Sequence, residues 1–504
     1  MMRSLYSGVA GLKVHQTKMD VIGNNIANVN TVGFKSSTVN FSDVLYQTTQ
    51  AASGANETTG ITGQNAKQIG IGSQVSSITT TVDSTGGTQR TDNALDCMIS
   101  GDAFFIVNMG GANYYTKAGS FNVDAAGTLC TAAGAAVMGW QVNQEGTDIV
   151  RDNVSKLTVM SPENMASEPE ATTKAYVTGN VDASDTSLAA ESGVAMQVSF
   201  YDNLGNSYNL KLSLKSNTAT EDNAEENPKG TYTIGITDIV DSKGKSIFWE
   251  TKIDEETKQE TKQLTGIMES FTFGGVTFTP ALDEESGDFT INADASCLMS
   301  FNTATGAFIS VTGADAADTE GTNTNALTLS LAGGGEGDNE ASTLPFEDLE
   351  IDFSTITQYA SSGKCSLESQ RGNVDGSGEG VGRTMGEMTG LSIDASGKIY
   401  GSYDNGTTKL LGQIAVATFA NATGLEAIGD SMFATTQNSG DFDGVGKDIT
   451  ETGGSLTTGV LEMSNVDLST EFTQMITTQR GFQANSKIIT TSDTLLEELI
   501  SLKR

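Results

Sequence analysis

Residues Leu468–Ile500 read LSTEFTQMITTQRGFQANSKIITTSDTLLEELI, a run without proline. The seats Leu468, Phe472, Met475, Gln479, Phe482, Ser486, Ile489, Asp493, Leu496 and Ile500 alternate in steps of four and three, and seven of these ten are apolar. Side chains three and four apart lie over one another on a helix, so this spacing predicts one apolar stripe on one helical face. Gln479 and Arg480, beside Phe482, are polar residues of the kind that sets register within a heptad. Asn465 and Asp467 are candidate N-caps, and Lys503 and Arg504 suit the negative end of the helix dipole.

The other end of the chain repeats the device. From Ser4 to about Asn30 there is no proline, and Leu5, Val9, Leu12, Gln16, Met19, Gly23, Ile26 and Asn30 keep the same alternation, with five of the eight apolar. The predicted helix is roughly 40 Å long at about 1.5 Å per residue. Gly23, Asn24 and Asn25 weaken it toward its end. Asn24, Asn25, Asn28 and Asn30 can cap helix ends and tolerate left-handed backbone, and Gly33 permits a sharp turn into a connector. Both ends read as coiled-coil helices. Such helices are marginal alone in water, so they must bury their stripes on each other or on neighbouring molecules, which predicts ends that order on assembly.

Between the helices the pattern changes. Residues 32–91 are rich in Thr, Ser, Gly, Gln and Asn and read as extended. From Leu95 onward, short apolar runs such as Ala103–Val107, Tyr114–Phe121 and Ala136–Val142 are separated by Gly, Asn and Asp, which predicts strands. The pattern continues through an acidic middle at Val194–Tyr201, Tyr208–Leu214, Tyr232–Ile239 and Phe271–Phe278, with loops at 220–230 and 333–340. It resumes near Leu391, with Ile414–Phe419 the clearest run. The fold class is therefore mixed α and β and multidomain. Terminal helices form an inner helical domain (1–34 with 455–504), followed by an extended connector (35–90), an inner β domain (91–150 with 365–454) and one or more outer β domains (151–364).

Composition excludes several functions. The net charge of −35 repels phosphate backbones and anionic lipid, so nucleic acid and membrane surfaces are not expected partners. Residues 1–50 carry four basic and two acidic side chains and residues 465–504 four and five, so the ends can associate with little like-charge repulsion. No apolar run is long enough to span a membrane, and no cleavable signal peptide is evident. Cys97, Cys130, Cys297 and Cys365 are too far apart for a metal knuckle or redox pair and read as small buried apolar residues. His15, the only histidine, reads as part of a polar helix face rather than a catalytic group. The run Gly376, Gly378, Gly380 and Gly382 lacks the strand and helix of a phosphate loop. Asp441, Asp443 and Asp448 lack EF-hand spacing. No catalytic residue, cofactor or metal is expected.

Three stretches carry a family resemblance. SLYSGVAGL at Ser4–Leu12 and GNNIANVNTVGFK at Gly23–Lys35 resemble the N-terminal signature of flagellar rod and hook proteins, and EMSNVDLSTEFTQMITTQRGFQANSK at Glu462–Lys487 resembles the C-terminal one. GDAFFIV at Gly101–Val107 and YTKAGSFNVDAAG at Tyr115–Gly127 are similar to segments common to several axial proteins. LSIDASGKIYGSYDNG at Leu391–Gly406 and LGQIAVATFANATGL at Leu411–Leu425 look like the hook protein family in particular. The resemblance covers about residues 1–150 and 365–504 and lapses between them.

It implies a structural subunit that polymerises into a curved helical tube, a flexible joint passing torque from rod to filament. The implied partners are copies of itself, rod and hook-filament junction proteins, the hook cap and the flagellar export apparatus. The implied location is the extracellular hook, reached without signal-peptide cleavage. The competing readings are a distal rod or hook-associated axial protein and, from another class, a secreted β-rich adhesin.

Overall fold

The computed structural model describes all residues except 1, 55–59, 61, 144–145, 147, 218–229, 254–259, 266–267, 269, 283–288, 314–323, 332–344 and 503–504. The loops expected at 220–230, except for Gly230, and at 333–340, and the dipole partners Lys503 and Arg504, therefore lie outside the described residues. The described chain is mostly β, with one long helix at each end. It divides into two compact units: residues 1–165, 388–403 and 408–504, and residues 166–387 with 404–407.

The first unit contains both helices, α1 (Met2–Ala27) and α2 (Leu468–Ser501). An antiparallel ribbon pairs Ser37–Asp43 with Ser73–Thr80 and continues as Tyr46–Gln50 with Lys67–Gly70. Two short ladders then join the N-terminal and C-terminal parts of the chain: Thr88–Arg90 with Val460–Glu462, and Cys97–Ser100 with Ser455–Thr458. Beyond them a sheet runs through Lys398–Tyr403, Thr408–Ile414, Ala136–Gln141, Phe104–Met109, Ala112–Thr116 and Met432–Ala434 in hydrogen-bonded order.

The continuous apolar run AFFIV explains where this core sits. Successive strand residues point to opposite faces, so an unbroken run means both faces are covered. Phe105 and Val107 enter one cluster with Phe121, Val137, Ile399 and Ile414, while Phe104 and Ile106 enter another with Tyr115, Trp140 and Phe433. The stretch 114–121 does not form the single run that was expected: one strand ends at Thr116 and the next begins at Phe121. The turn between them holds Lys117, a buried charge that no ladder could carry across a core face.

The second unit is built from two sheets over one core. Val194–Tyr201, Ser207–Ser216, Thr231–Asp241, Cys297–Phe301 and Phe308–Thr312 form the first. The second carries Lys174–Asn180, paired in parallel with Leu349–Asp352 and antiparallel with Ser366–Arg371. Inward residues of both sheets, among them Val198, Leu212, Ile234, Phe271, Phe278, Leu329 and Ile351, share a single cluster. The expected strand at 271–278 is a hairpin, Phe271–Phe273 with Val276–Leu282. Gly274 and Gly275 turn it at φ +58° and +77°, the backbone that a two-residue hairpin turn requires.

Candidate assembly site at the chain ends

Asp467 caps α2, accepting from Ser469 N at 2.9 Å and from the Thr470 hydroxyl at 2.6 Å. These bonds, that from the Thr470 side chain above all, hold its carboxyl below the usual carboxylate range. Asn465, the other candidate cap, is used elsewhere: its Oδ1 accepts from Ser36 N at 2.7 Å and its Nδ2 donates to Thr81 O at 3.0 Å.

The helices pack antiparallel in one register. The Ser4 and Ser492 hydroxyls lie 3.5 Å apart, and Asn25 Nδ2 donates to Glu471 Oε1 at 3.0 Å near the other end. Between these points the contact is made by glycines. A Cβ added at Gly8 would lie 3.2 Å from the Ile489 side chain, one at Gly11 would lie 2.6 Å from Asn485 Nδ2, and one at Gly481 would lie 2.7 Å from His15 Nε2. A larger residue at Gly11 or Gly481 would have to displace the Asn485 or the His15 side chain.

This is not the face that the apolar spacing indicates. On α1 the buried residues are Gly8, Gly11, Val14, Ile22 and Asn25, of which Gly8, Gly11, Ile22 and Asn25 lie one position short of the expected seats Val9, Leu12, Gly23 and Ile26. One residue is about 100° around the helix. Leu5, Leu12, Met19 and Ile26 are half-buried, and Val9 is 55% exposed. On α2 the buried residues are Glu471, Thr478 and Ser492, interleaved with half-buried Met475, Phe482, Ile489 and Leu496. Leu468, Phe472, Gln479, Arg480 and Ile500 are exposed. Arg480 donates to Gln483 on its own helix at 3.3 Å, and within the chain the Asn25–Glu471 bond and the glycine contacts fix how the two helices meet. Counting large apolar residues misses a face on which close approach selects Gly, Ser and Asn.

His15 is likewise not on a free polar face. Its ring lies against Gly481, its Nδ1 is buried without a hydrogen-bond partner, and Phe41 meets it edge-on with centroids 6.1 Å apart. Burial, and then the Lys18 ammonium, hold its proton affinity below the ordinary histidine value.

The asparagines end α1. Asn28 Nδ2 donates to Asn24 O at 2.9 Å, Thr31 Oγ1 donates to Asn28 Oδ1 at 3.1 Å, and Asn25 also exchanges two bonds with the Ser37 backbone, at 2.9 and 3.0 Å. Asn30 is exposed and lines an open cleft of about 460 Å³ with Val29, Val32, Thr88, Gln89 and Met463. Gly33 has φ +67°, donates its N–H to Glu462 O at 2.8 Å, and leaves no room for a Cβ, which would sit 2.7 Å from Ala118 N.

Directly beyond Gly33 lies a charge cluster that spacing did not single out. Lys35 Nζ donates to Glu462 Oε1 and to Ser84 O, both at 2.7 Å, and Gly86 N donates to the same Oε1 at 3.0 Å. Both side chains are buried, so removal of either would strand an unpaired charge. Lys117 donates to Gly101 O at 2.7 Å and lies 4.9 Å from the Phe104 ring centre. Burial first, then the nearby Lys35, push its amine down to about 8. Lys35, Glu462 and Lys117 all lie within the quoted signature stretches. Nothing in the local pattern marks these charges as buried, because the groups that enclose them come from distant parts of the chain.

The remaining candidates resolve structurally. Asp448 caps a short helical turn through Thr450 N and holds Gln413 and Arg151 at 2.9 and 2.6 Å. Among the described residues no group of His, Cys, Asp and Glu is arranged to hold a metal. Cys97 and Cys297 are buried, and burial pushes their thiols up to about 12 and 11, whereas Cys130 and Cys365 are only half-buried. No described helix is long and apolar enough to cross a membrane.

Comparison with known proteins agrees with this layout. Three family models match: the flagella basal body rod protein at residues 5–35, the flagellar hook protein FlgE/F/G D1 domain at 98–167, and the flagellar basal body rod FlgEFG protein C-terminal at 457–502. The chain is 33% identical to the flagellar hook protein FlgE of Treponema pallidum, over 100% of both chains. It is 35% identical to that of Borreliella burgdorferi, again over 100% of both. The flagellar basal-body rod protein FlgG of Bacillus subtilis is 28% identical over the same full span. With full-length identity above 30% and family matches at both ends and at residues 98–167, the chain belongs to the flagellar hook protein family.

Proposed function

We propose that this chain is the structural subunit of an extracellular flagellar hook, polymerising through its terminal helices into a curved tube that acts as a flexible joint. The observation that carries the reading is the outer side of the helix pair. Leu468, Phe472 (50% exposed) and Ile476 on α2, with Tyr6 and Val9 on α1, remain in solvent after the helices have packed on each other. Ile488, Leu495, Leu499 and Leu502 form a further stripe of four exposed apolar residues toward the C-terminus. Such residues on an already paired helix are suited to helices of neighbouring copies, in a coiled-coil-like bundle. Unlike patches meeting head to tail generate an open helix rather than a closed ring.

In this division of labour the helical domain makes the axial contacts and the β domains do not. Further partners would be rod and hook-filament junction proteins, the hook cap and the flagellar export apparatus. No catalytic or cofactor role is part of the proposal. Negative-stain microscopy of purified chain under polymerising conditions tests it. Curved tubes are expected, straight rods would favour the rod-protein reading that the FlgG likeness keeps open, and discrete particles would overturn both.

A further inference from the structure

We propose that the His15 slot makes the pairing of the two terminal helices an acid-labile latch, so that mild acid loosens the ends while leaving the β body folded. The proposal rests on the assembly reading above but concerns a different property. His15 is the only histidine in the chain, and its ring occupies the close approach of α1 to α2 that Gly481 makes possible. A Cβ at position 481 would collide with Nε2 at 2.7 Å, so the ring fills the space that the glycine leaves. Phe41 closes the slot edge-on from the ribbon. Nδ1 is buried with no hydrogen-bond partner. A neutral imidazole can leave one nitrogen unprotonated there. His15 is half-buried, and an imidazolium must place a second N–H at the buried Nδ1 with no acceptor to receive it.

The charged groups on the packed elements do not offset that cost. Lys18, one turn along α1, adds like charge, and its ammonium also sits 5.6 Å from the Phe41 ring centre. Arg480 precedes Gly481 on α2, and Asp43 lies two residues beyond Phe41 on the ribbon strand, exposed to solvent. The bound proton is therefore favoured by the unpaired state. As pH falls below about 6.5, the ordinary histidine value, the unpaired ends take up the proton and the packed pair resists it, so pairing weakens with acid. At pH 7.5 both states are neutral and the latch is closed.

A single histidine allows a direct test, because the folded full-length chain has one imidazole Hε1 resonance to follow by NMR from pH 4.5 to 8. A midpoint below 6.5 is expected, and one at or above 6.5 would overturn the proposal. In parallel, the helical ellipticity of wild type, His15→Phe and His15→Gln is melted at pH 7.5 and pH 5. Wild type should lose helix stability at pH 5 while its near-ultraviolet β-body signal holds, and both variants should show no such pH difference. Assembly followed by sedimentation should need roughly tenfold more wild-type protein at pH 5 than at pH 7.5, but not more of either variant. A variant that keeps the wild-type acid sensitivity would assign the effect to carboxylates and sink the latch. If His15→Phe does not pair its helices at pH 7.5, His15→Gln decides the matter. Failure of wild type to polymerise at any pH would count against the proposed function, while the NMR midpoint and the pH dependence of the melts would still judge the latch.

Discussion

The sheet around Phe104–Met109 and the helix pair belong to one compact unit, yet they bury their residues in opposite ways. Phe104, Phe105, Ile106 and Val107 are fully buried on two faces of a strand by side chains from several other strands. Of the 34 residues of α2, the buried ones are Glu471, Thr478 and Ser492, while Phe472, Ile476, Leu495 and Leu499 are at least half in solvent. Apolar burial contributes about 25 cal/mol per Å², so the sheet carries its own stability and the helices carry theirs only in part. The difference teaches where burial is complete: in the sheet it is complete within the chain, and in the helices it is only partial.

The comparison breaks most visibly if the sheet is weakened. Phe105→Ala should lower monomer stability by about 3–5 kcal/mol, the usual range for a buried aromatic truncated to alanine. Chemical denaturation of the β-body signal measures it. A loss below about 1 kcal/mol would mean that the sheet is not the self-sufficient part.

A second change should act with the opposite sign. Burial pushes the Lys117 amine down to about 8 in the folded chain from an ordinary 10.5, so the unfolded chain holds that proton more tightly and stability rises with pH between those values. The shift corresponds to about 3 kcal/mol of cost, less about 1 kcal/mol for the bond to Gly101 O. Lys117→Met should therefore stabilise the monomer by about 2 kcal/mol below pH 8, and the advantage should fade as pH rises toward 10.5. Denaturation midpoints at pH 7 and pH 10.5 check this. An advantage that is absent, or that grows with pH, would contradict it.

Smaller effects should stay within the helices. Gly481→Ala places a methyl against His15 and should cost about 1–2 kcal/mol of helix pairing, seen as earlier melting of helical ellipticity with the β-body melt unchanged. Phe482→Asp, on the half-buried side of α2, should do the same and also impair assembly. A shift of the β-body melt by either variant would couple regions that the comparison separates. Smallest in the monomer is Phe472→Asp, on the exposed side. Its melting should stay within about 0.5 kcal/mol of wild type, as surface substitutions usually do. Its sedimentable polymer should nevertheless be lost, because every added subunit would bury the charge. Unchanged polymer yield would remove Phe472 from the assembly surface.

The sequence by itself determined that both ends are long helices, because an uninterrupted three-four spacing and the Asp467 cap are local properties that need no partner to be read. It also determined strands such as Val194–Tyr201, where alternation along the chain reports burial directly, and the family, through signatures at both ends. Only the tertiary structure decided which helical face packs on which. That choice turns on Gly8, Gly11 and Gly481, which no hydrophobic count weighs, since their contribution is the room they leave for Ile489, Asn485 and His15. It alone brought Lys35, Glu462 and Lys117 together as well. Residues hundreds of positions apart share no local pattern, and a buried charge becomes recognisable only when the groups that surround it are in place.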